Sequence, residues 1–136
     1  KIREFARAVK ATHPAHFDVE AAAALGHRDL VAPPTFAIIV AQRADAQLIE
    51  DPDSGIDFSR VVHADQRFIH HRPIVAGDRL VAELHVDGVR AMGGGAMITT
   101  RSEIFALTAG AGSVGDDPRE AVATATSSIL VRGEGQ

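Results

Sequence analysis

A double proline followed at once by an apolar run is the feature that most restricts how this chain can fold. Pro33 and Pro34 stop the element before them and pre-set the backbone at the start of the next one. Residues 36–41 then begin a helix that is apolar on nearly every side, becomes amphipathic past Gln42 and ends near Glu50. Because a helix that is apolar all round is a buried one, we expect the rest of the chain to cover it on several sides.

Two shorter helices are expected before this one. Residues 1–9 place apolar side chains at helical spacing, and Pro14 disfavours helical geometry in the residue before it, so this helix ends by Thr12. Asp18 is a good N-cap for a helix over residues 19–25, and Gly26 is a natural stop at its C-terminal end.

The hydrophobic period changes from that of helices to that of strands after a turn cluster at residues 51–55. We predict strands at residues 61–71, from residue 80, at residues 96–107 and at residues 121–131. Residues 72–78 are a connection, residues 93–95 are a glycine turn and residues 108–119 are a Gly- and Asp-rich loop. Helices followed by an antiparallel meander indicate the α+β class.

Composition limits the function classes further. The 136 residues suit one domain, and the absence of cysteine excludes a disulfide scaffold, a cysteine-based zinc site and a thiol nucleophile. A net charge of −4 argues against nucleic-acid binding. No apolar run approaches the roughly 20 residues of a membrane span, so we expect a cytoplasmic protein.

Three stretches resemble a known family. Residues 68–80, which read Phe-Ile-His-His-Arg-Pro-Ile-Val-Ala-Gly-Asp-Arg-Leu, resemble the strand, proline-containing connection, Gly-Asp and second strand of MaoC-like hydratases and dehydratases. Residues 2–9 and 32–36 look like the subgroup related to the HadA and HadC subunits of the type II fatty-acid dehydratase. The resemblance covers residues 1 to about 130.

The resemblance implies a hot-dog fold, in which a curved antiparallel sheet wraps a long central helix. It also implies dehydration of a (3R)-hydroxyacyl thioester, or the reverse hydration of an enoyl thioester, on coenzyme A or acyl carrier protein. No cofactor is implied. Because the chain begins with Lys1 instead of Met, we expect that residues 1–136 form a single hot-dog domain whose N-terminal strand is missing.

Active members of the family carry a motif of the form Asp-x-Asn-Pro-x-His. A base must take the α-proton and an acid must help the β-hydroxyl leave, which explains the Asp and His. In this chain Pro14 and His16 match the motif, whereas Ala11 stands at the Asp position and His13 at the Asn position. The resemblance therefore implies that His16 is the remnant of a catalytic pair.

A second family element, Ala-His-Gly, begins the central helix and supplies a glycine N–H that stabilises the thioester oxyanion. This chain has Ala32, Pro33 and Pro34 there, and a proline has no N–H to donate. Losing one oxyanion donor costs roughly a hundred- to thousandfold in rate, and losing an acid–base partner costs a similar factor. A site that lacks both is expected to be nearly silent.

Another group could substitute for the missing carboxylate. Asp18 and His13 are the nearest candidates, and His13 with His16 could act as a pair because imidazoles titrate near neutrality. Their i, i+3 spacing could also bind a metal, but no third ligand follows a clear pattern, so we expect no metal site.

Two further groups of residues are candidates for contacts with a substrate or a carrier. Pro34, Thr35 and Phe36 lie where the resemblance places the entering thioester. The densest basic stretch either docks the phosphopantetheine arm or acidic face of a carrier or is only a solvated strand end; it comprises Arg67, His70, His71 and Arg72, with Arg79 nearby. Asp65 and Gln66, in the middle of a predicted strand, are expected to make a structural tie to a helix or a partner subunit instead of a substrate contact.

The sequence alone leaves three functions open. The first is an accessory subunit that binds the acyl chain and pairs with a catalytic MaoC-like subunit. The second is a self-sufficient enoyl-CoA hydratase homodimer that uses a substituted base. The third is an acyl-thioester-binding homodimer without activity. One hot-dog unit exposes a sheet edge and apolar surface, so a dimer is expected in all three cases.

Overall fold

The computed structural model describes residues 1–107 and 119–133. Its helices are α1 (Ile2–Ala8), α2 (Val19–Ala24) and α3 (Ile38–Ile49). Its strands are β1 (Val61–His70), β2 (Leu80–Met92), β3 (Gly95–Leu107) and β4 (Arg119–Val131). Single 3₁₀ turns occupy Pro14–His16, Pro52–Ser54 and Phe58–Arg60. Helices followed by strands confirm the α+β prediction.

The four strands form one antiparallel sheet in the order β1-β4-β3-β2. The predicted meander is therefore correct for β2, β3 and β4 but wrong for β1, which pairs with β4 at the opposite edge from β2. The segment between β1 and β2 does not turn back tightly, because it bonds to the chain before α3. The Ala32 N–H donates to the Ile74 carbonyl at 2.8 Å, and the Ala76 N–H donates to the Leu30 carbonyl at 2.9 Å.

Helix α3 begins two residues later than predicted. The N–H groups of Phe36 and Ile38 donate to the carbonyls of Pro33 and Thr35, at 2.9 and 3.0 Å, so residues 33–38 form tight turns that precede the α-helix. Prolines at positions 33 and 34 have no N–H, which suits the start of a helical segment.

Only one side of α3 is covered completely. Ala41 and Ala44, whose small side chains allow close approach, are buried together with Asp45. Ile39 and Val40 are only half-buried. The expectation that the helix is buried on several sides is thus too strong for a single chain: the sheet covers one side, and part of the apolar remainder lines a cleft.

Two small clusters illustrate how the other elements are fixed. Ile104 on β3 and Val122 on β4 are fully buried in the core, to which α1 contributes Ile2. The ring of Phe5 packs edge-on against Phe36, with centroids 5.4 Å apart. Helix α1 thereby closes the end of the core from which α3 starts.

A polar network crosses the centre of the sheet. The Thr100 hydroxyl donates to Asp45 at 2.8 Å, and the Ser127 hydroxyl donates to Gln66 at 2.6 Å. Burial raises the pKa of Asp45, although the hydrogen bond from Thr100 and the nearby His63 oppose that rise. Gln66 is thus tied to the neighbouring strand β4, whereas the prediction was a tie to a helix or a partner subunit.

The predicted helix cap and glycine turns are present in the structure. The Asp18 carboxylate accepts a hydrogen bond from the Glu20 N–H at 2.9 Å and caps α2, as predicted. Gly26 comes just after that helix and has a φ of +90°. Gly93 and Gly94 both have positive φ in the two-residue turn between β2 and β3. Of the predicted loop at residues 108–119, residues 108–118 lie outside the described residues.

Candidate functional site

The 3₁₀ turn Pro14–His16 positions the two histidines of the first motif. His13 caps the turn, because its Nδ1 accepts the Ala15 N–H at 3.1 Å. His16 Nδ1 lies 2.7 Å from the Val31 carbonyl oxygen. Since a carbonyl can only accept, His16 Nδ1 carries the hydrogen. In their neutral forms, His16 therefore has a lone pair on Nε2, and His13 has its hydrogen there.

The two imidazoles share a cleft of about 560 Å³. Their ring centroids are 5.9 Å apart. The other walls come from the end of α2, the segment before α3 and the connection after β1. The complete lining comprises His13, Ala15, His16, Leu25, His27, Val31, Ala32, Pro33, Pro34, His70, His71, Arg72, Pro73 and Ile74. We call it the histidine cleft.

None of the described residues that line the histidine cleft is Asp or Glu. Ala11, at the family's Asp position, does not line it. Asp18 does not line it either, and its carboxylate is bonded to the Glu20 N–H. Pro34 lies in the wall, where its ring nitrogen has no hydrogen to donate.

The three residues predicted to bind substrate are separated in the structure. Pro34 lines the histidine cleft, Thr35 is exposed, and the buried Phe36 faces a different cavity. That cavity, which we call the apolar cleft, measures about 800 Å³ and lies between α3, the start of the chain and β2. Its apolar lining comprises Ile2, Val19, Leu30, Phe36, Ile39, Val40, Ala44, Ile74, Val75, Ala76, Leu80 and Ala82.

Three of the four predicted carrier-docking residues line the histidine cleft: His70, His71 and Arg72. Arg67 is exposed on β1 and is not part of the lining. His70 stacks on Phe68, with ring centroids 6.0 Å apart.

Arg72 holds the connection between β1 and β2 in place. Its guanidinium donates to both carboxylate oxygens of Asp78, at 2.8 and 3.1 Å, and to Glu120 at 2.9 Å. Asp78 also accepts from Arg28 at 2.5 Å and from the Val75 N–H at 3.0 Å. Burial alone would raise the pKa of Asp78, but these donors outweigh it and lower that pKa.

His71 belongs to a hydrogen-bonded chain that runs into the sheet. Arg101 donates to Glu103 at 2.7 Å, and the Thr124 hydroxyl donates to the other oxygen of Glu103 at 2.8 Å. These two bonds lower the pKa of Glu103. His71 Nε2 lies 3.2 Å from the Thr124 oxygen. Because the Thr124 hydrogen is already used, His71 Nε2 is the donor, and Nδ1 has the lone pair of the neutral ring.

Two residues around these clefts were missed by the sequence reasoning. His27 lines the histidine cleft, yet it belongs to no motif, and only the fold brings it there. Asp78 was noted as part of a Gly-Asp pair, but its role as the partner of two arginines was not. The signal for that role was the pairing of Arg72 with an acidic residue six positions later, across a turn that contains Gly77.

Across residues 1–107 and 119–133, no group of three or more His, Asp or Glu side chains is arranged to hold a metal ion. In the same ranges, no helix has both the length and the apolar character needed to cross a membrane.

Comparison with known proteins identifies the family. The model of the FAS1-like dehydratase domain region matches residues 1–107. The chain belongs to this family of dehydratase domains. It is also 52% identical over 134 residues to a UPF0336 protein of Leifsonia xyli subsp. xyli, a match that covers 98% of this chain and 83% of the relative.

Solved structures confirm the fold of this FAS1-like dehydratase domain. The HadBC complex of Mycobacterium tuberculosis, a (3R)-hydroxyacyl-ACP dehydratase, contains a chain 37% identical to this one, with a TM-score of 0.76 over 95% of this chain and 83% of that one. A MaoC-like dehydratase is 30% identical, with a TM-score of 0.78 over 98% of this chain and 37% of that one. A second Mycobacterium tuberculosis protein, with a double hotdog fold, is 22% identical and has a TM-score of 0.71 over 95% of this chain and 34% of that one. The MaoC-like resemblance and the hot-dog prediction are both confirmed.

Proposed function

We propose that this chain is the accessory, acyl-chain-binding subunit of a (3R)-hydroxyacyl-thioester dehydratase. In this role it pairs with a second hot-dog subunit that carries the catalytic Asp, His and oxyanion glycine. The substrate is an acyl thioester of coenzyme A or acyl carrier protein, and the reaction belongs to fatty-acid metabolism.

The observation that carries the proposal is the histidine cleft without a carboxylate. A syn elimination needs a base for the α-proton, an acid for the hydroxyl and a donor for the thioester oxygen. The cleft has imidazoles but neither an acidic side chain nor an N–H at Pro34. The missing carboxylate and the missing N–H are both groups that take part in the reaction, whereas the hot-dog fold around them is retained.

The apolar cleft supports the second half of the proposal. Twelve of its nineteen lining residues are apolar, and its volume of about 800 Å³ is in the range of small-molecule sites. The polar lining residues are Lys1, Arg3, Asp29, Arg43, Gln47 and Asp78. Val40 and Ile39 are half-buried there, so α3 offers an apolar stripe to an acyl chain. Burial of each methylene contributes about 0.8 kcal/mol, which favours longer chains.

A partner subunit is supported by the edges of the sheet. Both β1 and β2 are edge strands, and edge strands present unpaired backbone groups. Phe58 is 72% exposed beside the start of β1, and Val62 and Ile69 on β1 are also exposed. The HadBC complex, whose similar chain is part of a dehydratase assembly, supports the same arrangement for this chain.

The chain's own activity decides between this proposal and the nearest alternative. We expect the purified chain to hydrate crotonyl-CoA at most a hundredth as fast as the same chain co-expressed with a MaoC-like subunit that has intact Asp and Gly motifs. Loss of the enoyl absorbance measures the rate. A fast reaction by the lone chain would refute the proposal.

The alternative is a self-sufficient homodimer, and one observation favours it. In the neutral rings His16 Nε2 has a lone pair and His13 Nε2 has a hydrogen to donate, and both residues line the same cleft. A fast lone-chain rate that falls with His16→Gln, but is unchanged in a His63→Gln control outside the cleft, would establish this mechanism. Binding of acyl-CoA with neither turnover nor a partner would favour the non-catalytic homodimer.

The role of the apolar cleft has its own test. Val40→Trp fills the cleft, so in the partnered enzyme we expect kcat/KM for a long-chain enoyl thioester to fall at least tenfold while that for crotonyl-CoA changes less than threefold. Val9→Trp, at an exposed residue that directly follows α1 and lies outside the cleft, is the matched control. Equal losses for both chain lengths would contradict an acyl-binding role.

Carrier docking by the basic stretch is part of the same proposal. Arg67 is the suitable test residue because it is exposed, whereas Arg72 is engaged with Asp78 and Glu120. Arg67→Glu should weaken binding of acyl carrier protein severalfold at low salt, with a smaller effect at high salt. A change that does not depend on salt would mean that Arg67 belongs only to a solvated strand.

A further inference from the structure

Five of the seven histidines in the chain line a single cleft. They come from four separate segments: His13 and His16 from the 3₁₀ turn, His27 from the residues after α2, His70 from β1 and His71 from the connection after β1. The other two, His63 and His85, lie on β1 and β2 away from it. The dehydratase chemistry of the proposed function uses at most two of the five.

Hydrogen bonds determine which ring nitrogen carries the hydrogen in three of these histidines. His16 Nδ1–H is bonded to the Val31 carbonyl and His71 Nε2–H to the Thr124 hydroxyl, so each neutral ring has a lone pair at its other nitrogen. His13 has a free N–H at Nε2, because Nδ1 accepts the Ala15 N–H. Uptake of a proton by His16 and His71 therefore turns two acceptors into two further charged donors.

Arg72, the one arginine in the lining of the cleft, is already paired with Asp78 and Glu120. Five carboxylates on the surrounding segments have a partner: Asp78 with Arg72 and Arg28, Glu120 with Arg72, Glu103 with Arg101 and Thr124, Asp18 with the Glu20 N–H, and Asp29 with the Leu30 N–H. Glu20 on α2 and Asp65 on β1 have no side-chain partner among the described residues, but neither lines the cleft. No carboxylate among the described residues lines the cleft itself. Protonated imidazoles would consequently lack a counter-ion from the protein, and an anionic ligand would supply one.

We propose that the histidine cleft is a phosphate-binding site that takes up protons when it binds. A phosphate group has only acceptor oxygens and two negative charges in its dianionic form, which matches a cluster of N–H donors. Apart from Arg72, the remaining lining is apolar and includes Leu25, Val31, Pro73 and Ile74, so the fitting ligand is a phosphate ester with an extended, weakly polar arm. That this ester is the phosphopantetheine arm of a thioester carrier rests on the proposed function.

Calorimetry on the full chain tests the site. Inorganic sulfate is the first probe, because it remains a dianion at both pH 6 and pH 8, and 4′-phosphopantetheine and unphosphorylated pantetheine are the second and third. We expect sulfate and phosphopantetheine to bind at least tenfold more tightly at pH 6 than at pH 8, and the heats in two buffers of different ionisation enthalpy to show proton uptake. Pantetheine should bind at least tenfold more weakly than its phosphate ester.

Variants separate the cluster from general charge effects. His71→Gln and His16→Gln together should reduce sulfate affinity at pH 6 at least tenfold, whereas His63→Gln should leave it unchanged; circular dichroism verifies that each variant is folded. Equal affinity at the two pH values, or a double variant that binds as tightly as the parent, would overturn the proposal. Sulfate binding with proton uptake but no gain for phosphopantetheine would keep the phosphate site and reject the carrier. Partner-dependent dehydration without any anion binding would keep the proposed function and reject this site.

Discussion

The buried carboxylate of Asp78 should be the most costly single charge to remove from this protein. Its side chain is 3% exposed, and it accepts hydrogen bonds from Arg72, Arg28 and the Val75 N–H. Asp78→Asn keeps the shape but removes the charge. Its amide NH₂ would face another donor wherever it pointed, because all the groups around that carboxylate donate.

The size of the effect depends on which partner is left alone. Breaking a buried ion pair by removing one member costs about 3–5 kcal/mol. In the variant Arg72 keeps its ion pair with Glu120, but the Glu120 side chain is 63% exposed, so this pair offsets little of the cost. The Arg28 side chain is 65% exposed, so the loss of its bond to Asp78 adds little to the cost. We therefore expect Asp78→Asn to lower the free energy of unfolding by about 3 kcal/mol at pH 7, or Tm by roughly 10 °C for a chain of this size.

Urea unfolding followed by circular dichroism is the suitable assay, because the chain has neither Trp nor Tyr. Glu120→Gln, which removes the exposed partner of Arg72, is the matched control and should cost less than about 1 kcal/mol. The folded-state pKa of Asp78 lies below its ordinary value of 3.8, so its contribution is present above that pH and is lost as the pH falls through the folded pKa. The difference between parent and variant should shrink accordingly at low pH. A cost below about 1 kcal/mol at pH 7, or one that does not change with pH, would refute the reasoning.

Two further predictions concern the interior and the start of β3. Because burial raises the folded-state pKa of Asp45, the parent protein loses stability as the pH rises from 3.8 through that pKa. Asp45→Asn keeps the hydrogen bond from Thr100 but has no charge to titrate, so this pH dependence should disappear. In the same urea assay we expect the variant to be more stable than the parent at neutral pH. If the two proteins had parallel pH profiles, Asp45 would not be the cause. A Cβ at Gly95 would clash with the backbone carbonyl of Val131, so Gly95→Ala should lower the free energy of unfolding by about 1–3 kcal/mol. Gly88→Ala is the control: a Cβ there meets open space, and the free energy of unfolding should change by less than about 1 kcal/mol. Equal costs for the two variants would contradict the packing argument.

Local signals in the sequence predicted the elements well. The change from helical to alternating hydrophobic period located all four strands, and the capping preference of Asp18 located α2. These predictions succeed because helix caps and side-chain alternation act over a few residues. The start of α3 differs by two residues because Pro33 and Pro34 favour a tighter turn before the helix.

Long-range contacts were beyond the same reasoning. The pairing of β1 with β4 joins residues about 60 positions apart, and no local pattern specifies it. Of the candidate site residues, His13, His16 and Pro34 were placed together by motif order, but their meeting with His27 depends on how α2 leads into the segment before α3. The separation of Phe36 from Pro34 into two different clefts likewise results from the turn that joins them.

A thin partition divides the two clefts. A short antiparallel bridge joins Val31 to Val75, and the side chain of Ile74 contributes to both linings. The two clefts therefore lie on opposite sides of a single pair of hydrogen-bonded backbone segments. A displacement of these segments into one cleft would enlarge the other. A ligand bound in one cleft would therefore change the shape of the other cleft through steric contact alone, without any movement of charge.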